Sequence, residues 1–244
     1  MKNAIILCSG GIDSSVTAHY VKKRLNYKKV FILFFNYGQR TLIQERICSK
    51  KCAQYVNVEF IEINLPELNK ISTSLINSKK KANKIKRKEL KNTSKESENW
   101  YVPCRNIVFL IYAIAFAEAR YIKNKEICEI FVGFKNEGKE AYPDTTQEFV
   151  KVMNNLQKTA TAGKGKFIIK APLIKMDKED IIKLGNKLGV NFKQTYTCYA
   201  GVKNKLVHCG TCLSCKLRQV GFYWANIKDP TNYVIKPKDF RLTR

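Results

Sequence analysis

The chain is short of acidic residues, of histidine and of uninterrupted apolar sequence. Twenty Asp and Glu stand against 45 Lys and Arg in 244 residues, a formal net charge of +25. The longest apolar stretch, Ile107 to Ala117, is well below the roughly 20 residues that span a bilayer. The N-terminal run Ala4 to Cys8 is broken by Gly10, Gly11 and Asp13 before a signal-peptide core is complete. These shortages speak against a membrane span or a secreted chain and lead us to expect a cytoplasmic protein. The glycine signatures G-x-x-x-x-G-K-[ST] and G-x-G-x-x-G are also missing, which excludes the two commonest nucleotide loops. What remains is 45% hydrophobic and 11% aromatic, enough for a substantial core, so neither disorder nor a disulfide-stapled scaffold fits. Charge admits two readings: an anionic partner such as a nucleotide or nucleic acid, or a compositional bias, since only nine of the basic residues are Arg.

Apolar runs alternate with helical patterns. Strands are expected at Asn3 to Cys8, Val30 to Phe35, Val58 to Ile63, Cys128 to Phe134 and Phe167 to Ala171. Helices are expected at Ser14 to Leu25, Leu42 to Tyr55, Ile107 to Tyr121 and Glu148 to Thr159. A further helix, ending at Gly189, has Asp177 as its cap and Asp180 as the capping-box acid. Strands joined by helices predict an α/β fold: a doubly wound, mostly parallel five-stranded sheet with ligands at the carboxyl ends of its strands. This unit would occupy residues 1–190, and residues 191–244 would form a cysteine-bearing segment and tail. Residues 78–98 interrupt the rhythm, with nine basic residues between Lys79 and Lys95. They read as a mobile insertion or solvated helix, or as a flap over an anionic ligand.

Two motifs carry chemistry. Ser9-Gly10-Gly11-Ile12-Asp13-Ser14-Ser15 follows the first strand, where glycines allow a sharp turn and the helix N-terminus presents N–H groups to phosphate oxygens. The pattern resembles the PP-loop of ATP pyrophosphatases, which cleave ATP between its α and β phosphates and leave AMP on a substrate. The second motif is Cys198, Cys209, Cys212 and Cys215, a spacing that suits a closed tetrahedral zinc site. Lys203, Lys205, Lys216 and Arg218 are close enough in sequence to offset the excess thiolate charge. A chance cluster of free thiols and an iron–sulfur cluster are the alternatives. Cys8, Cys48, Cys52, Cys104 and Cys128 read as reduced, small apolar fillers, and His19 and His208 as structural.

A closer resemblance rests on further motifs in order: Phe35-Asn36-Tyr37-Gly38-Gln39-Arg40, Tyr101-Val102-Pro103 with Arg105-Asn106, Tyr142-Pro143-Asp144, Pro172-Leu173 with Lys178, and Cys198-Tyr199 followed by the three remaining cysteines and Leu217-Arg218. From about Ile5 to Phe222 the chain resembles the QueC family of 7-cyano-7-deazaguanine synthases. The resemblance implies an ATP-dependent carbon–nitrogen ligase that adenylates 7-carboxy-7-deazaguanine and condenses it with ammonia, through an amide, to the nitrile precursor of queuosine and archaeosine. It implies ATP, Mg²⁺ and Zn²⁺ as cofactors and a homodimer. By the same token Ser9, Asp13, Arg105 and Lys178 would be catalytic. Ser9, Gly10, Gly11, Asp13, Ser14, Ser15, Tyr37, Gln39, Arg105 and Asn106 would hold ATP. Tyr142, Asp144 and Arg105 would meet the acid substrate, and Cys198, Cys209, Cys212 and Cys215 the metal.

The chain departs from the family pattern at four positions. Cys104 stands for the usual Gly, Gly138 for an Asp, and Thr145-Thr146 for Cys-Arg. All four fall around the substrate pocket and spare the phosphate loop and the cysteines. They keep open a ligase of the same kind that hands a deazaguanine acyl group to another amine, such as a protein amino group. A PP-loop enzyme acting on tRNA and a zinc-containing nucleic-acid module are the remaining readings. The first rests on charge alone, the second would leave the phosphate loop without a use, and nucleic acid is not the favoured partner.

Overall fold

The computed structural model describes residues 2–136, 138, 142–202 and 206–238. Five parallel strands, β1 (Asn3–Leu7), β2 (Val30–Asn36), β3 (Glu59–Asn64), β4 (Cys128–Phe131) and β5 (Ile169–Lys170), form one sheet in the order β3-β2-β1-β4-β5. Ile5 pairs with Phe31 on one side and Ile130 on the other. The chain runs outward from β1 to β3 and then returns to the other side of β1, so the order reverses between β1 and β4. A crevice therefore opens above the carboxyl ends of these two strands.

Helices cover both faces, which is why the central strands read as unbroken apolar runs. On one face α1 (Ile12–Arg24) and α2 (Leu42–Val56) bury Ala18, Val21, Cys52, Ala53 and Val56 against Ile6 and Ile32. On the other, α5 (Arg105–Asn124) and α6 (Gln147–Ala160) set Leu110, Ala113, Ala117 and Met153 against Ile5, Phe31 and Ile130. Each large side chain buried in this way contributes about 1.5–3 kcal/mol. Short α3 (Pro66–Ile71) and α4 (Ser94–Trp100) lie in the long return from β3. The last helices, α7 (Lys178–Lys187) and α8 (Leu213–Ala225), share an apolar cluster with α1, in which Val16 meets Ile181, Phe192 and Phe222. Arg218, 1% exposed, ties α8 to the segments before and after it by donating to Thr195 Oγ1, Phe192 O and Thr231 Oγ1 at 2.7–2.8 Å, with Asp229 at 3.6 Å. No single described helix is long and apolar enough to cross a membrane.

Several expectations need correction. β4 ends at Phe131 rather than Phe134, and β5 is only two residues long. After Val132 the chain leaves the sheet at Gly133, where a Cβ would lie 2.9 Å from Ser14 N. That close approach to the start of α1 is possible only for glycine. Asp177 stands at the N-cap of α7 but makes no cap bond; its Oδ1 accepts from Asn136 Nδ2 at 2.8 Å instead, so there is no capping box with Asp180. The basic segment is no solvated helix. It is irregular except for a 3₁₀ turn, Arg87–Lys91, and the start of α4. It is fastened by Ile85, which is 8% exposed and whose N–H donates to Thr211 O at 2.8 Å, and by Arg40 Nη1 donating to Lys80 O at 2.9 Å. Of the cysteines read as fillers, Cys104 is exposed and the other four are buried.

Candidate active site

A cavity of about 650 Å³ opens where the strand order reverses, bounded by the ends of β1, β2 and β4 and the N-termini of α1, α5 and α7. Its floor is the Ser9 to Ser14 loop. Gly10 turns the chain at φ +78°, and a Cβ there would be 2.6 Å from Ser49 N, which fixes the residue as glycine. Gly11 precedes α1 in extended conformation and supplies no side-chain cap. The helix thus directs the positive end of its dipole at the cavity, a built anion site. Ser9 Oγ and Ser14 Oγ lie 3.4 Å apart at its rim.

Lys178, first residue of α7, reaches across to this loop and donates to both oxygens of Asp13 at 2.7 Å. Its stem crosses α8 at Gly221, where a Cβ would come within 2.4 Å of Lys178 Cγ. Gly133 and Gly221 are thus site-shaping positions that the motif reading missed. Their only sequence signal is a glycine after a strand and another within a helix, neither of which tells what lies opposite.

Arg105 enters from the start of α5. Its Nη1 donates to Tyr37 OH at 3.4 Å, and its guanidinium lies 5.9 Å from the centre of that ring. None of the described carboxylates is within ion-pair distance of it, so its charge faces the cavity. Burial pushes the Tyr37 phenol up to about 12 despite the opposing guanidinium. The residue before Arg105, Cys104, has φ +57°, a left-handed conformation that costs a side chain of order 1 kcal/mol or more. The glycine that the family resemblance leads one to expect at this position would carry no such cost.

The structure separates the remaining expected residues. Ser9, Gly11, Asp13, Ser14, Tyr37, Arg105, Asn106, Tyr142 and Lys178 line the cavity. Gly10, Ser15, Gln39 and Asp144 do not. Ser15 is 2% exposed in the core behind the loop. Gln39 is 3% exposed, accepting from Tyr37 N and donating to Phe35 O, both at 3.0 Å, so it shapes the loop after β2. Asp144, 4% exposed, accepts from Asn106 N at 3.2 Å, and its carbonyl accepts from Asn106 Nδ2. It thereby caps α5, for which Cys104 offers no cap, and acts on the site through the Arg105-Asn106 pair. Tyr142 donates to Ser97 O at 2.8 Å and stacks on Tyr101. Of the family departures, Gly138 and Thr145 line the cavity and Thr146 caps α6 by accepting from Phe149 N.

The four thiols form a separate centre. Cys198, Cys209, Cys212 and Cys215 place their sulfurs within 4.8 Å of one another. The spacings of 3.8 Å for Cys209–Cys215 and 4.0 Å for Cys198–Cys212 match the roughly 3.8 Å between sulfurs of a tetrahedral metal site with 2.3 Å bonds. Backbone N–H groups of Cys209, Thr211 and Cys212 donate to these sulfurs at 3.3–3.4 Å, which favours thiolate. Arg218 directs its guanidinium to Thr231, Thr195, Phe192 and Asp229 instead of donating to a sulfur, so any offset it gives acts through charge at a distance. Lys203 and Lys205 lie outside the described residues. His208 is 3% exposed and accepts from Thr197 N at 3.1 Å. His19 is likewise in the core, bonded to Ser15 O, and burial lowers its pKa. Neither histidine lines the cavity.

A parallel α/β sheet with an uncapped phosphate loop at its reversal point, and a thiol cluster apart from it, defines a chain of the PP-loop, ATP-using class. It belongs to the QueC family: the family model described as "Queuosine biosynthesis protein QueC" matches residues 3–226. The chain is 36% identical over 239 residues to a 7-cyano-7-deazaguanine synthase of Methanocaldococcus jannaschii, covering 95% of this chain and 99% of the relative. It is 35% identical over 237 residues to the protein of the same name from Rickettsia felis, covering 96% and 100%.

Proposed function

We propose that this chain is a 7-cyano-7-deazaguanine synthase, an ATP-dependent carbon–nitrogen ligase of the cytoplasm that converts 7-carboxy-7-deazaguanine and ammonia to the nitrile. The observation that carries the reading is the union in one cavity of an uncapped phosphate loop, the Lys178–Asp13 pair and the charge of Arg105, which has no ion pair among the described residues. A carboxylate resists attack by an amine until it is adenylated. The charge that builds up on departing pyrophosphate needs fixed N–H groups and cations around it. The start of α1 and Lys178 serve that end, and Arg105 holds the substrate carboxylate or the α-phosphate. Tyr142, with its ring on Tyr101, offers a flat surface for the deazapurine. Mg²⁺ carried by the nucleotide would add to this neutralisation, with Asp13 the acidic group beside the loop. The four thiols fit Zn²⁺, which in a closed site supplies folding energy and no open position for a reactant.

The test is mass spectrometry of a reaction holding ATP, Mg²⁺, ammonium and 7-carboxy-7-deazaguanine. Both the amide and the nitrile are expected, with one AMP released at each of the two activations. Acid-dependent AMP without nitrogen incorporation would overturn the synthase reading. A homodimer is also proposed, on the exposed apolar side chains of α5, Ile107, Ile111 and Ile122, with Val152 and Leu156 of α6. Ile111→Glu should convert a dimeric sedimentation profile to a monomeric one, and a wild-type monomer at micromolar concentration would remove this part of the proposal.

A further inference from the structure

The synthase reading leaves one step without a group to perform it. Near neutral pH the nitrogen substrate is almost entirely ammonium, which has no lone pair and cannot attack an acyl-adenylate until a base takes its proton. No histidine is among the described residues lining the cavity, so the base is sought among its carboxylates: Asp13, Glu45, Asp177 and Glu179. Asp13 gives both oxygens to Lys178, and Asp177 is exposed and accepts from Asn136. Glu179, in the first turn of α7, shows no fixed hydrogen-bond donor in the described structure.

Glu45, in the first turn of α2, is held differently. Thr41 Oγ1 donates to one of its oxygens, and Gln39 Nε2 donates to the other at 3.2 Å. Gln39 is itself fixed at both ends by Phe35 O and Tyr37 N. The carboxylate is thus oriented, and each oxygen keeps a lone pair. The same cavity wall carries the rings of Tyr37 and Phe109, 5.4 Å apart in an edge-on pair, surfaces that favour a small cation.

We propose that Glu45 binds the ammonium ion and takes its proton at the amide-forming step, an inference that rests on the synthase reading above. One proton passes from nitrogen to the Glu45 carboxylate, and the freed lone pair forms the C–N bond at the acyl carbon. The C–O bond to AMP then breaks with its electron pair remaining on the phosphate oxygen, and the second nitrogen proton goes to water. Burial raises the Glu45 carboxyl from its ordinary value, against the bonds from Thr41 and Gln39 and the charge of Arg105, the direction that strengthens it as a base. The groups facing it are Arg105 from α5, Tyr37 after β2, Cys48 on its own helix and, beyond Cys48, Cys8 at the end of β1 and Arg218 on α8. Cys8 titrates nearby, its thiol brought down to about 7 by the contact with Cys52 against the effect of burial. For that reason a pH profile alone would not identify the base.

Hydroxylamine is largely neutral at pH 7 and captures an acyl-adenylate without needing its proton removed first. With the full chain, ATP, Mg²⁺ and 7-carboxy-7-deazaguanine, Glu45→Gln should form hydroxamate at close to the wild-type rate. With ammonium it should form amide roughly 10²-fold or more slowly. Raising the pH toward 9, where free ammonia accumulates, should restore much of the ammonium-dependent rate, and Glu45→Asp should retain part of it at pH 7. Equal losses with hydroxylamine and ammonium would reduce Glu45 to a structural part of the wall and overturn the inference, as would an unchanged rate with ammonium. A wild-type chain that forms no hydroxamate would sink the synthase reading itself, and the inference with it.

Discussion

Lys178→Met is expected to lower acid-dependent release of AMP and pyrophosphate by roughly 10²–10³-fold, the usual consequence of removing one preorganised donor from developing charge. Asp13→Ala should have an effect of similar size, because Lys178 would lose the partner that holds its ammonium at the loop. The two side chains are 18% and 26% exposed, and their 2.7 Å pair lies at a cavity wall that water reaches. Solvent screening therefore keeps the pair's share of stability small, and both variants should melt near the wild type. The double variant should be little worse than either single one, since the residues act as a unit. Pyrophosphate release with substrate present is the measurement. A wild-type rate in either single variant would remove the phosphate-loop assignment.

The second large effect concerns the thiol cluster. Cys212→Ser, or removal of the metal by a chelator, should unfold the segment around Cys198 and α8, because a structural zinc supplies binding free energy of about 10–16 kcal/mol in small metal-dependent domains. Here α8 also packs on α7 and α1, so part of the structure should persist. A net destabilisation of about 5 kcal/mol would lower Tm by about 10–20 °C. Elemental analysis of freshly purified chain should give one zinc. Iron in its place, or a Cys212→Ser chain that melts with the wild type, would contradict the assignment.

Much of this architecture was legible because the central strands are buried on both faces and α5 on one, so β1, β2 and α5 declare themselves by apolar pattern alone. The ends of β4 and β5 were not legible. Val132 to Phe134 continues the apolar run of β4, yet the backbone must leave the sheet where Gly133 meets the start of α1, a long-range contact with no local signature. The phosphate loop could be read from its glycines and Asp13, and the cysteines from their spacing. Gln39 and Asp144 carry the same residue types as ligand contacts, but their side chains turn inward to hold Tyr37 and Asn106. Only the fold distinguishes a group that touches a ligand from one that aims its neighbour. Glu45 escaped the motif reading because an acid in a helix's first turn is expected for reasons of helix dipole alone.

The fastening of the thiol segment to the rest of the molecule sets an order of failure. Tyr196, two residues before Cys198, donates its N–H to Gly10 O at 2.9 Å, and Thr211, between Cys209 and Cys212, accepts from Ile85 N at 2.8 Å. One clasp thus holds both the turn of the phosphate loop and the strap of chain whose continuation, through Thr93 and Ser97, walls the cavity. Thiophilic metals or electrophiles that open the clasp would silence this protein while most of its sheet still stood, and inactivation by heat would run ahead of melting.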